Sequence, residues 1–138
     1  MTTKGTTKEE AIIRARDVMR TKLVTIDGMA TVREAADKMR KEHLSHLLVE
    51  RRNADDAWAI ISIRDLVEGV LLPDRPAEDV NVFEVMTKPV ITVPPDMDIR
   101  YVARLLHNTG LSRVPVEENG ELIGMISLSS LILYESIF

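Results

Sequence analysis

Slid against itself by 67 positions, the chain repeats. Val18-Met19 falls on Val85-Met86, Thr25 on Thr92, Arg33 on Arg100, Ala36 on Ala103, Leu44-Ser45 on Leu111-Ser112 and Val49-Glu50 on Val116-Glu117. The register runs without a gap from Asp17 to Glu50, after which the offset becomes 65 and pairs Ser62 with Ser127 and Leu66 with Leu131. Copy one therefore has two extra residues in the polar stretch Arg51 to Asp56, where a hairpin loop is expected. A unit of this size is small for an independent core. Two copies packed about a pseudo-twofold axis would share one.

Each copy reads as strand, helix, strand, strand, helix, an α/β fold of the mixed α+β kind. Leu23 to Ile26 and Val90 to Val93 are short β-branched runs and read as first strands. After Thr31, the apolar residues Val32, Ala35, Ala36 and Met39 recur at helical spacing, and Thr31 with Glu34 forms a capping box. Asp98 precedes Ile99, Val102, Ala103 and Leu106 on the same spacing. The hairpin strands are His46 to Val49 with Trp58 to Ser62, and Arg113 to Val116 with Leu122 to Ser127. Asn119-Gly120 is a strong hairpin-turn signal. Helices then start at Ser62 and Ser127.

The organisation that results is an N-terminal helix and tail over 1–16, repeat one over 17–72, a linker over 73–81 and repeat two over 82–138. The extra helix is expected from about Lys8 to Met19. The apolar end, Leu128 to Phe138, suggests packing on the other copy or on a second chain.

Composition excludes several classes. With 45% hydrophobic and 29% charged residues in 138, the chain is globular rather than disordered. It has no cysteine, which removes disulfides, cysteine-ligated metals and thiol nucleophiles. A net charge of −4 and 4% aromatic residues disfavour nucleic acid as partner. No apolar run reaches the roughly 18–20 residues of a membrane span. Met1 to Lys8 is polar, without the apolar core of a signal peptide. A cytoplasmic location is expected, with no membrane partner.

The chemistry concentrates at Ser62-Ile63-Arg64-Asp65, where a strand gives way to a helix. Free backbone N–H groups at a helix start suit phosphate, a serine hydroxyl donates to it, and a carboxylate accepts from both hydroxyls of a ribose diol. The same spacing is also a plain capping box. Copy two reads Ser127-Leu128-Ser129-Ser130, so the cap survives and the carboxylate is gone. That asymmetry predicts one competent ribose site and one weak one.

The duplicated unit resembles the CBS domain, named for cystathionine β-synthase. The matching pieces are Asp17-Val18-Met19 and Glu84-Val85-Met86, then Gly110 to Val116, then Leu122 to Ser127. The resemblance covers about Ala15 to Tyr134. It implies a tandem pair with two clefts between copies that take AMP, ADP, ATP or S-adenosylmethionine, as a regulatory module without catalysis or a catalytic cofactor. By resemblance the main cleft combines Ser62, Arg64 and Asp65 with the strand edge at Val90, Ile91 and Thr92 and with Leu111, Ser112, Arg113 and Val114. Arg113 would face phosphate there. The weaker cleft would combine Ser127 and Ser130 with Val24, Thr25, Leu44, His46 and Leu47. A homodimer and an effector protein on another chain are the implied partners.

The remaining candidates have plainer readings. His43 and His46 lack a third ligand nearby in sequence, so no metal site is expected. His107 reads as solvated. Glu117-Glu118 and Asp55-Asp56 fall at hairpin turns, and Arg14, Arg16, Arg20, Lys22 and Arg51-Arg52 read as solvated basic clusters. No nucleophile–base constellation and no phosphate-binding glycine loop argue for an enzyme. The rival to a nucleotide sensor is a ligand-free dimerising scaffold.

Overall fold

The computed structural model describes residues 12–138. In chain order the elements are α1 (Ala15–Val18), β1 (Thr25–Ile26), α2 (Val32–Glu42), β2 (His46–Val49), β3 (Ala59–Ser62) and α3 (Ile63–Leu66). A π-helical turn, Val67–Leu71, and a 3-10 turn, Ala77–Asp79, follow α3. Next come α4 (Val82–Val85), α5 (Ile99–Thr109), β4 (Arg113–Glu118), β5 (Glu121–Ser127) and α6 (Leu128–Leu133). They gather into two compact units, one of Val24–Val90 and one joining residues 12–23 with Ile91–Phe138.

In the Val24–Val90 unit, β1 lies parallel to β2, and β2 antiparallel to β3. The crossover from β1 to β2 is α2, whose start is fixed as its sequence dictates. The Glu34 N–H donates to Thr31 Oγ1 at 3.1 Å and the Thr31 N–H donates to Glu34 Oε1 at 3.2 Å. A cap of this kind contributes about 1 kcal/mol. Ala35 and Met39 of α2 bury against Leu47, Val49, Ala59 and Ile61 of the sheet. Leu47 and Ile61 are fully buried, and each such side chain contributes roughly 1.5–3 kcal/mol. The polar stretch over 73–81 is anchored by Val80, which is fully buried beside Val32 and Val70.

The second unit is built on the β4–β5 hairpin, turned by Asn119 and Gly120 at φ of 54° and 83°. Asp98 caps α5 by accepting from the Arg100 N–H at 2.9 Å. Val102 and Leu106 of α5 pack on Val114, Val116 and Ile126. The strand expected at Val90 to Val93 is reduced to a single bridge, Val93 with Val116. The reason is Pro115. In copy one the Leu48 N–H donates to Val24 O at 3.0 Å, one step outside β1. Pro115 stands where copy one has Leu48 and has no N–H to give, so the ladder stops.

The expected helix over about 8–19 differs as well. Residues 8–11 lie outside the described residues, and within them the helix is one turn, Ala15–Val18. Arg14 is extended (φ −110°) and bridges to Asp98, which holds the chain out of a helix there.

The short segments that open each copy carry the same contacts at the repeat spacing. Phe83 N–H donates to Gly28 O at 3.0 Å and Thr87 N–H to Ile60 O at 2.8 Å, both within the Val24–Val90 unit. Arg16 N–H donates to Pro95 O and Arg20 N–H to Met125 O, each at 2.9 Å, within the other. Val82 and Val18 each enter the core of the unit they join. Packing units are therefore offset from sequence repeats. The lead-in of copy two completes the core of copy one, and the lead-in of copy one completes the core of copy two.

Candidate functional site

In copy one, β3 ends at Ser62 and α3 begins with both halves of a capping box closed. The Ser62 N–H and hydroxyl donate to Asp65 Oδ2 at 2.9 and 3.1 Å, and the Asp65 N–H donates to Ser62 Oγ at 3.3 Å. The other carboxylate oxygen, Oδ1, accepts from the Thr87 hydroxyl at 3.2 Å. Asp65 is half-buried and Arg64 exposed. The pairing of β2 with β3 sets His46 opposite Ser62. Val90 donates its N–H to Trp58 O at 3.0 Å in the same unit.

Copy two closes the same box with hydroxyls alone. The Ser127 N–H donates to Ser130 Oγ at 3.1 Å and the Ser130 N–H donates to Ser127 Oγ at 3.3 Å. Ser130 is only 4% exposed. The hairpin sets Arg113 opposite Ser127. Half burial pushes the Arg113 guanidinium below its ordinary pKa, because desolvation disfavours the charged form. Arg20 occupies the place that Thr87 holds in copy one and lines a 140 Å³ recess with Val18, Ser130, Leu133 and Tyr134.

The other candidate residues divide between the units. Val24 and Thr25 offer backbone carbonyls that are already engaged, by the Leu48 N–H and the Lys38 ammonium. The Thr25 hydroxyl donates to Glu50 at 3.0 Å. Leu44 packs against the core, and Leu47 lies inside it, so Leu47 has only backbone to present. In the second unit Ile91 is exposed, Thr92 donates its hydroxyl to Glu117 at 2.8 Å and Leu111 packs on the core. Ser112 is exposed and its carbonyl accepts from the Leu128 N–H at 2.9 Å. Val114 is fully buried. Thr87 is the contact that sequence reasoning passed over. No local signal marks it, because Thr87 lies in the segment that opens copy two and folds onto copy one.

Among the described residues no group of three His, Cys, Asp or Glu is arranged to hold a metal, and no helix is long and apolar enough to cross a membrane. His43 stands at the C-terminal end of α2 in the left-handed conformation (φ 57°).

Comparison with known proteins agrees with the duplicated fold. The family model of the CBS domain matches twice, over residues 15–72 and 82–136. An uncharacterized protein of Methanopyrus kandleri is 31% identical over 120 residues, which cover 86% of this chain and 61% of that protein. The L-aspartate semialdehyde sulfurtransferase of Methanosarcina acetivorans is 30% identical over 127 residues, 90% of this chain and 24% of that enzyme. The chain thus spans less than two thirds of the length of both relatives. Among solved structures, the hexameric CBS-CP12 protein from bloom-forming cyanobacteria superposes with a TM-score of 0.83 at 35% identity, covering 90% of this chain and 68% of that one. A conserved CBS domain protein of Thermoplasma acidophilum, of unknown function, gives 0.81 at 28% identity, covering 91% and 72%.

Proposed function

The chain belongs to the CBS domain family, as a tandem pair, and from that premise we propose that it is a regulatory module that binds an adenosine-containing ligand through Ser62 and Asp65. The ligand class is AMP, ADP, ATP or S-adenosylmethionine. The module catalyses nothing itself. It acts in the cytoplasm by favouring one arrangement of the protein over another, which requires unequal affinity for the two. One observation carries the reading. Copy two starts its helix with a serine hydroxyl where copy one uses a carboxylate, so the cap does not require the charge. A half-buried carboxylate beyond what the fold requires suits a ribose diol, which it can accept from twice.

A thermal-shift panel of AMP, ADP, ATP, GMP and S-adenosylmethionine tests it, on the native chain and on Asp65→Ala. Ligand at about 100 times its dissociation constant stabilises by about 2.7 kcal/mol, or several degrees for a domain of this size. Shifts confined to adenosine ligands and lost in Asp65→Ala support the reading. A panel in which Asp65→Ala responds as the native chain does contradicts it.

A second reading rests on a different observation. Leu128, Ile132, Leu133 and Phe138 are 51%, 63%, 62% and 85% exposed. An apolar surface on and beyond α6 suits self-association or an effector protein, and the cyanobacterial relative is described as hexameric. On this reading the chain is a homodimeric scaffold. Sedimentation separates the two, because Ile132→Asp with Leu133→Asp would break the dimer while leaving ligand binding at Asp65 intact.

A further inference from the structure

At the end of the β1–β2–β3 sheet remote from Ser62 lies a cavity of 690 Å³, contained within the Val24–Val90 unit. Its size falls among small-molecule sites, which run about 300–1,000 Å³. Its apolar surface comes from Val49 and Met86, with Met29 and Phe83 at 69% and 49% exposure. Its charges are sorted by side. Asp27 follows β1, and Glu50 leans toward β1 by accepting from the Thr25 hydroxyl. Arg51 and Arg52 enter the hairpin loop, and Lys88 follows Thr87, which bridges to Ile60 of β3. Asp56, with a side chain 9% exposed, sits among these cations. It accepts from Lys88 Nζ at 2.7 Å and from the Arg52 N–H and Nε–H at 2.9 and 3.2 Å. The β1 side thus keeps an excess of carboxylate and the β3 side an excess of cation.

Three features peculiar to this unit converge on the cavity. Arg51, Arg52 and Asp56, from the stretch that holds the two extra residues, form part of its wall. Met29 and Phe83 stand where the other unit has Asp96 and Arg16, which form an ion pair there. Lys88 and Asp56 form an ion pair in its wall. Exposed apolar side chains, a loop insertion and a charge sorting in one place, in only one of two equivalent units, describe a place for a ligand rather than a lapse of packing.

We propose that the cavity binds a zwitterionic small molecule with an apolar side chain, of the α-amino acid class. The ammonium group faces Asp27 and Glu50, the carboxylate faces Arg52 and Lys88, and the side chain covers Met29 and Phe83. This site is separate from Asp65, so its failure leaves the nucleotide reading untouched, and the reverse holds.

The chain has one tryptophan. Trp58 lies under the guanidinium of Arg51, 5.2 Å from its ring centroid, and so reports on the cavity wall. Its fluorescence would be titrated with L-leucine, L-methionine and L-phenylalanine, and with isocaproate and isopentylamine, which are leucine without its ammonium and without its carboxylate. The expected result is a saturable change with at least one amino acid and binding weaker by about tenfold for each stripped analogue, as loss of a charge-assisted contact implies. Asp27→Asn keeps the oxygen that accepts from the Met29 N–H, and it should weaken amino acid binding by about tenfold, as should Arg52→Gln. Asp65→Ala should leave the titration unchanged. No saturable change with any of the three amino acids up to about 10 mM overturns the proposal. So does an analogue that binds as tightly as leucine, or Asp27→Asn and Arg52→Gln variants that both titrate like the native chain.

Discussion

Two helix starts in this molecule are the same junction built twice, and the group that closes the capping box differs between them. At Ser62 the box is closed by the Asp65 carboxylate, and at Ser127 by the Ser130 hydroxyl. The bond lengths are close, 2.9 against 3.1 Å for the N–H of the cap residue and 3.3 Å in both for its hydroxyl. The capping hydrogen bonds are therefore indifferent to charge. The surroundings are not. Asp65 is half-buried and takes a further hydrogen bond from Thr87, while Ser130 is buried and has Arg20 at its recess. A carboxylate is kept where water or a ligand can reach it and is absent where the core closes over the position.

Exchanging the two groups should therefore be asymmetric. Ser130→Asp places a charge at a buried position and should cost about 3 kcal/mol in urea denaturation. Asp65→Ser should cost less than about 1 kcal/mol, since a serine already closes the equivalent cap. Equal costs would break the comparison.

A second contrast lies where the lead-ins meet the hairpins. Ala59 of copy one is matched by Gly124 of copy two. A Cβ on Gly124 would stand 2.8 Å from Met19 Cβ and closer still to its sulfur. Gly124→Ala should cost about 2 kcal/mol by overpacking, and Met19→Ala in the same chain should recover part of it. A full loss unchanged by Met19→Ala would mean that the strain lies elsewhere.

Acid titration probes the Asp56 ion pair of the Val24–Val90 unit. Donation from Lys88, and next from the Arg52 backbone, holds the Asp56 carboxyl well below the usual carboxylate range. A depressed folded value means that the stabilisation is complete above the unfolded value, about 3.9. It is lost as pH falls below that value toward the folded one. Lys88→Met should flatten that part of the stability–pH curve, read by thermal melts below about pH 4. An unchanged curve would remove Lys88 from the account.

The smallest expected effect is at the end of α2. His43 holds the left-handed conformation at φ 57° where copy two has Gly110 at φ 73°. Glycine carries no steric penalty there. His43→Gly should stabilise by about 0.5–1 kcal/mol, a gain of a few degrees in melting temperature, whereas Gly110→Ala should destabilise by a similar amount.

Much of this was legible in the chain. Hydrophobic spacing and caps placed the starts and buried faces of α2 and α5, because Thr31, Asp98 and the apolar residues are local signals. Asn119-Gly120 fixed the hairpin for the same reason. The strand expected at Val90 to Val93 failed because its partner, Pro115, lies distant in sequence and withholds a donor. The exchange of lead-ins was hidden because Val18 and Val82 look alike and nothing local says which core each joins. At the candidate site, Ser62 and Asp65 were readable from spacing. Thr87 and the cavity by Lys88 were not, since they arise from a segment that folds onto the copy before it.

The central claim is that the fold does not need the charge on Asp65, which is kept for a ligand. Calorimetric titration of AMP into the native chain and into Asp65→Ser, alongside urea denaturation of both, tests it most directly. The account predicts that binding is lost in Asp65→Ser while stability stays within about 1 kcal/mol. Undiminished AMP binding in that variant, or a loss of stability large enough to explain the loss of binding, would contradict it.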